Sequence, residues 1–326
     1  MVDAAPSAPP ASGSLRVGAS PSTGRARRRP ALSDLHLSPG KRARLQRLLY
    51  HHGPGGGTLL VLPIDQGLEH GPVDFFANPD ALDPDYQFRL ARDGKFSAIA
   101  VHIGLAEKYY PAYAGEVPLI LKLNGKTGVP SDAQAFSALT GTVEDAVRLG
   151  ADAVGYTVYV GSPSQDRDFD QVHRVRADCD RFGMPFIVWA YPRGEAISKK
   201  GGKESLYAID YAARVALELG ADVVKVNYPV ASDKDKDSPA PYSTLQLSPE
   251  AAFHKVVQSA GRALVLVSGG EKVGDPELLG KVRSSMDAGA TGIIFGRNLW
   301  QRPWAEALEL TRHLHAIFRE YSEPVS

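Results

Sequence analysis

The chain has 326 residues, 43% of them hydrophobic and 23% charged, with 37 basic side chains against 37 acidic. That length buries a large core, as one big domain or two small ones. The balanced charge argues against nucleic acid or an anionic membrane as partner, no apolar run reaches the roughly 20 residues that span a bilayer, and the single cysteine, Cys179, excludes an intrachain disulfide and suits a reducing, cytoplasmic setting.

Residues 1–32 open with "MVDAAPSAPPASGSLRVGASPSTGRARRRP", which is Ala, Pro, Ser, Gly and Arg with one acid, Asp3. Such a segment buries too little surface to order itself and reads as a disordered tail. Arg- and Ser-rich, acid-poor segments also resemble transit peptides, the second reading. The remaining residues, 33–326, read as one domain. Ser38 then caps a helix whose first position suits Pro39, in "SPGKRARLQRLLY".

From residue 58 short apolar runs alternate with longer amphipathic segments. The runs are "TLLVLPID" (58–65), "SAIAVHIG" (97–104), "PLILKLNG" (118–125), "AVGYTVYVG" (153–161), "PFIVWAYPR" (185–193), "VVKVNYP" (223–229), "ALVLVSGG" (263–270) and "TGIIFGRN" (291–298). Nearly continuous apolarity marks parallel strands covered on both faces. Between them, "TVEDAVRLG" has a cap at Thr142, "SLYAIDYAARVALELG" is apolar at helical spacing, and "SPEAAFHKVVQSAG" and "DPELLGKVRSSMDAG" each start with a cap followed by proline. Three helix-to-strand joins share a form, "LGADAV", "LGADVV" and "AGATGI", with glycine ending the helix. Eight strands alternating with helices predict a (β/α)8 TIM barrel, ahead of a doubly wound open sheet. The turn after the first run, "IDQGLEHGP", lacks the GxGxxG spacing of a dinucleotide-binding sheet.

Lys225 interrupts the sixth run, where a flexible cation is costly to desolvate. Side chains alternate along a strand, so Lys225 shares a face with Val223, while Val224 and Val226 share the other; periodicity does not say which face is inward. If Lys225 points in, its pKa falls, and a neutral lysine is a nucleophile that forms Schiff bases with carbonyls. Otherwise it is one half of an ion pair. Trp189, Tyr191 and Arg193 alternate at the end of the fifth run, which supplies an aromatic wall, a phenolic proton donor and a cation, unless the two rings are plain packing. Asp65 ends the first run and Lys122 lies near the end of the third, so a carboxylate between lysines can hold one charged and relay protons near the other. Asp65 could instead cap the next turn. The seventh and eighth runs end in "SGGEK" and "FGRN", where barrels recurrently bind phosphate. Ser268, Gly269, Gly270 and Gly296 there let backbone N–H groups approach an anion, and Arg297 adds charge. Together these residues predict a phosphorylated substrate with a carbonyl that lysine attacks, and no metal or cofactor is called for: no Cys/His cluster has metal-ligand spacing.

The motifs "IDQGLEHGPVDFFANPDALDPDY", "AEKYYPAYAGEVPLILKLNGKT", "VWAYPRG", "LELGADVVKVNYP", "SGGEK" and "GRNLWQR" resemble those of the archaeal-type class I fructose-bisphosphate aldolases, in the deoxyribose-phosphate aldolase-like (β/α)8 group. The resemblance runs over residues 40–315. It implies that Lys225 is the Schiff-base lysine, Tyr191 the general acid/base with Trp189 beside it, and Asp65 the carboxylate at the first strand's end. It further implies that Ser268, Gly269, Gly270, Gly296 and Arg297 hold phosphate, and that Arg193 and Lys122 touch substrate. The implied reaction is metal-independent cleavage of fructose 1,6-bisphosphate in glycolysis and gluconeogenesis. The alternative is a related lysine-Schiff-base transferase or synthase acting on another phosphorylated ketose or diketone. Barrels of this family assemble into rings, which points to a homo-oligomer (octamer or decamer) with "YYPAYAG" and the terminal helix as contact surfaces. Two departures stand out: Gln66 where family members often carry histidine, and Asn227 where some carry a second lysine. The long polar stretch 230–248 is either a lid over Lys225 or a solvated loop.

Overall fold

The structure, a computed structural model, describes residues 29–269 and 273–323. Eight parallel strands form a closed barrel: β1 (Leu59–Pro63), β2 (Ala98–His102), β3 (Leu119–Lys122), β4 (Ala153–Val160), β5 (Phe186–Pro192), β6 (Val223–Val226), β7 (Leu264–Ser268) and β8 (Gly292–Ile294). Each pairs with the next in sequence, and β8 closes on β1. The eight apolar runs and the eight strands correspond one to one. The third run is cut short, because Asn124–Gly125 leaves the barrel to pair antiparallel with Ala138–Leu139.

Alternation sorts each strand into two cores. Leu59, Val61, Ala98, Ala100, Ile120, Ala153, Ile187, Val223, Leu264, Leu266 and Ile294 fill the barrel interior. Their neighbours, such as Leu60, Val154, Val224 and Val226, pack outward against the helices. Val223 lies in the inner set, so Lys225 points into the barrel.

The expected caps at Ser38, Thr142 and Ser248 each accept a backbone N–H of the first turn, and Ser205 does the same for its helix. Asp275 is a correction. Gly274 precedes the helix Asp275–Asp287, and the Asp275 carboxylate instead pairs with Arg302 at 2.5 Å. The three repeated joins each place glycine in the left-handed region, at φ 70° for Gly150, 94° for Gly220 and 101° for Gly289.

The helix Pro39–Gln46 and the turn after it plug the amino-terminal floor of the barrel. Leu45, Leu48 and Leu49 join the inner core, and so do Leu32 and Leu35. Asp152 and Asp222, the aspartates of the two "LGAD" joins, hold that plug. Arg47 pairs with Asp152, and Lys41 lies 3.0 Å from Asp222 and 2.9 Å from Asp180. Packing begins before the predicted boundary at residue 32, since the Arg29 side chain is buried and donates to the carbonyls of Gly56, Gly57 and Tyr321. Of the tail assigned to residues 1–32, residues 1–28 lie outside the described residues.

In the "YYPAYAG" segment Tyr110 and Tyr113 are buried, with Tyr113 stacked on Phe88, while Pro111, Ala112, Ala114 and Gly115 are exposed. The 230–248 stretch is anchored on the outer helices, with Tyr242 donating to Asp210 at 2.6 Å and lying under the Lys255 ammonium. Among the described residues no helix is long and apolar enough to cross a membrane.

The floor plug sets a stability prediction. Leu45 is fully buried beneath the inner core. Leu45→Ala should lower unfolding stability by about 2–5 kcal/mol, read in denaturant titration as a lower midpoint at unchanged slope.

Candidate active site

Inward positions at the carboxyl ends of β1, β3, β5 and β6 place Asp65, Lys122, Trp189, Tyr191 and Lys225 around the mouth of the barrel. The register sets Trp189 beside Lys225 and Tyr191 beside Tyr159. Lys225 is 5% exposed, and its ammonium donates to the Tyr191 hydroxyl. It lies 4.5 Å from the Tyr191 ring centroid and 5.6 Å from that of Trp189. Lys122, fully buried on β3, also lies over the indole, 4.9 Å from its centroid.

Trp189 can lie beside both lysines because residue 155 on the neighbouring strand is glycine. A Cβ there would sit 2.5 Å from the indole Cζ3 and 3.1 Å from Lys122 Cδ. The indole N–H has no hydrogen-bond partner, consistent with a wall rather than a polar contact.

The carboxylates go to Lys122, which lies 3.2 Å from Asp65 Oδ2 and 3.3 Å from Glu69 Oε1. Burial would lower the Lys122 pKa, but Glu69 and Asp65 outweigh it and hold the ammonium above its usual range. Burial would raise Asp65, but Lys122 and then Lys225 outweigh it and keep the carboxylate ionised. Among the described residues no carboxylate pairs with Lys225, so burial dominates, and its pKa is pushed down to about 8 despite Asp65 and Glu69 nearby. At pH 7 roughly one molecule in ten then carries a neutral amine there.

Arg193 follows Tyr191 and folds back over it. Its guanidinium lies 5.2 Å from the Tyr191 ring and 6.0 Å from that of Tyr159, and it pairs with Asp132 at 3.1 Å. Across the mouth, Ser268 ends β7 and donates to the Asn227 side chain. Gly269 follows it, with its carbonyl 3.5 Å from the Asn298 amide nitrogen. Gly270 lies outside the described residues. Gly296 precedes the short helix Arg297–Trp300 and must be glycine, because a Cβ would meet Gln66 Nε2 and the Pro63 carbonyl at 2.9 Å and Trp300 Nε1 at 3.0 Å. Arg297 turns toward Asp74, at 3.9 Å.

Three residues at this rim were not singled out from the sequence. Glu69 stands four residues after Asp65, on the turn Gln66–Glu69, and that spacing was its signal. His102 ends β2 beside Lys122. Burial followed by the Lys122 charge pushes its pKa down to about 4. Asn298, 1% exposed, accepts from the Val273 N–H at 3.1 Å and so joins the two ends of the β7 loop. Among the described residues no three His, Cys, Asp or Glu side chains group as metal ligands.

Fold and site define the class: a (β/α)8 barrel with a desolvated, partly neutral lysine at the carboxyl ends of its strands. The chain belongs to the DeoC/LacD family of aldolases, whose model matches residues 59–302. It is 40% identical over 274 residues to the class 1 fructose-bisphosphate aldolase of Thermoproteus tenax, covering 83% of this chain and 94% of that protein. It is 31% identical over 285 residues to the 2-amino-3,7-dideoxy-D-threo-hept-6-ulosonate synthase of Halobacterium salinarum, covering 87% and 94%. Among solved structures it is similar to an archaeal fructose-1,6-bisphosphate aldolase with its catalytic lysine bound to the carbinolamine intermediate. That match has 38% identity, a TM-score of 0.71, and coverage of 84% of this chain and 98% of that one.

The charge arrangement predicts a pH dependence. Only the neutral amine reacts, so the rate of Lys225 modification by an amine-directed reagent should rise with pH, reach half its plateau near pH 8, and level off. An ordinary lysine would keep rising to about 10.4. In Lys122→Met the neighbouring cation is gone while Asp65 remains, so the midpoint should move upward, as followed by peptide mass spectrometry across pH.

Proposed function

We propose that the chain is a class I, Schiff-base-forming fructose-bisphosphate aldolase, cleaving fructose 1,6-bisphosphate reversibly to dihydroxyacetone phosphate and glyceraldehyde 3-phosphate. The observation that carries this reading is the pairing at the mouth: a desolvated Lys225 in contact with the Tyr191 hydroxyl. The family membership and the archaeal aldolases it resembles support it.

Neutral Lys225 attacks the C2 carbonyl; the carbinolamine then loses its hydroxyl as water on a proton given by Tyr191, which leaves an iminium and a Tyr191 phenolate. That phenolate, whose oxygen faces the lysine nitrogen, takes the proton of the C4 hydroxyl. The C3–C4 bond breaks, and its electron pair moves into the iminium to give an enamine while glyceraldehyde 3-phosphate leaves. Tyr191, or a water it orders, returns a proton to C3, and hydrolysis frees dihydroxyacetone phosphate. Asp65 and Lys122 set the charge around the nucleophile, and Trp189 walls it from solvent. Ser268, Gly269, Gly270, Gly296 and Arg297 hold the phosphate next to C1, and Arg193 meets the distal one. The iminium supplies the electron sink, so no metal enters the reaction. The pathway role is glycolysis and gluconeogenesis in the cytoplasm. The exposed Val73, Phe76 and Leu82 on the β1 loop support assembly into a homo-oligomeric ring of eight or ten subunits.

Incubation with dihydroxyacetone phosphate followed by borohydride should leave a triose-phosphate adduct on Lys225, mapped by mass spectrometry. A folded protein that binds the sugar phosphate but gives no adduct would sink the Schiff-base mechanism. Tyr191→Phe should lower kcat by roughly 10²–10⁴-fold with the adduct still formed. Chelator should leave turnover intact; strong inhibition reversed by zinc would contradict the metal-free step.

A further inference from the structure

Arg193 and Lys126 converge on one carboxylate, that of Asp132. Lys126 Nζ lies 2.8 Å from Asp132 Oδ1 and Arg193 Nε 3.1 Å from Oδ2, so each oxygen takes one cation. Asp132 stands on the loop after β3, and residues 127–134 are all exposed, with Val129 at 92%. The loop is rooted on both sides of that tip: Asn124–Gly125 pairs with Ala138–Leu139, the Ala135 carbonyl accepts from Ser162 at 2.6 Å and the Ser137 carbonyl from Gln171 at 2.9 Å. The cations are the better-buried partners, with side chains 18% and 19% exposed against 47% for Asp132. A solvated carboxylate on a rim loop thus rests on two cations fixed at the barrel mouth.

The position of that pair relates to substrate length. A ketose joined to Lys225 through C2 has one phosphate a single carbon away and the other four carbons away. The glycine-bearing loops follow β7 and β8, on one side of Lys225 in the barrel. Arg193 follows β5, on the other side, and its guanidinium lies over the Tyr191 ring. A bisphosphate anchored at the glycine loops therefore extends toward Arg193 and Lys126.

We propose that Asp132 is a specificity-determining residue: its carboxylate occupies the two cations that the distal phosphate of a bisphosphorylated ketose requires, and the substrate must displace it. This rests on the fructose-bisphosphate reading above and adds a competitor within the same chain. A dianionic phosphate outcompetes one carboxylate on two cations, whereas a neutral hydroxyl at the same carbon does not. The latch therefore weakens binding of every ligand with a distal phosphate and leaves a ketose phosphorylated only next to C1 untouched.

Asp132→Asn keeps the shape and removes the charge. The KM for fructose 1,6-bisphosphate should fall roughly threefold to fivefold, the range of a partly exposed ion pair. The KM for fructose 1-phosphate, which has no distal phosphate, should stay as it was. If Asp132 instead only orients Arg193, the bisphosphate KM rises in the variant; an equal change for both sugars, or no change for either, overturns the proposal as well. Calorimetric titration with inorganic phosphate gives a readout independent of turnover. Tighter phosphate binding in Asp132→Asn, lost again in Asp132→Asn with Arg193→Met, supports the latch; unchanged binding in Asp132→Asn refutes it. A parent chain that turned over neither sugar would count against the aldolase reading alone, since the phosphate titration still decides the latch.

Discussion

Two lysines share the barrel mouth, and the carboxylates in contact go to one of them. Lys122 takes both Asp65 and Glu69, which keeps it charged although it is fully buried. Lys225 receives a phenol and an indole face in their place, so burial pulls its pKa down to about 8. A buried cation without a close anion is costly, and the lowered pKa reflects that cost. It also leaves a fraction of neutral amine, which the proposed mechanism uses as its nucleophile. Without the Lys122 cluster, Asp65 would have only Lys225 to pair with, and the amine would remain an ammonium.

The barrel makes this asymmetry possible by alternation and by two omitted side chains. Every second residue of each strand enters the interior, so Val223 and Ile187 seal the core below while Lys225 and Trp189, two residues on, reach the mouth. Gly155 leaves room for the indole to lie beside both lysines, and Gly296 lets the β8 turn approach Pro63 and Gln66. At the opposite end Asp152 and Asp222 secure the floor plug through Arg47 and Lys41. The residues that hold the barrel shut and those that hold the lysine open thus occupy opposite ends of the same strands, the usual division in this fold.

Much of the site was legible because polar residues inside apolar strands are conspicuous. Lys122, Trp189, Tyr191 and Lys225 each sit at or near the end of such a run, and Asp65 terminates one. Glu69 and Asn298 were harder: they lie in turns, where polar residues are ordinary, and only their contacts with Lys122 and the β7 loop mark them. His102 ended an apolar run and carried a signal of the same kind as Lys122. Asp132 had none, since an acid in an exposed loop is what composition leads one to expect. The repeated "LGAD" joins were legible as helix stops, but their aspartates were not, because their partners come from a helix more than a hundred residues earlier in the chain.

The order of eight strands, the helix caps and the left-handed glycines at helix ends follow from local rules, and the sequence alone determined them: periodicity, cap chemistry and permitted φ act within a few residues. Which face of β6 turns inward is a different kind of question. Val223 and Val224 are chemically alike, so only closure of the barrel could decide that Lys225 points inward. Tertiary structure likewise decided the pairing of Asp65 and Glu69 with Lys122 rather than Lys225, and of Asp132 with Arg193 and Lys126. Each of these depends on distances between strands far apart in sequence, and electrostatic preference follows distance and burial, which no local pattern encodes.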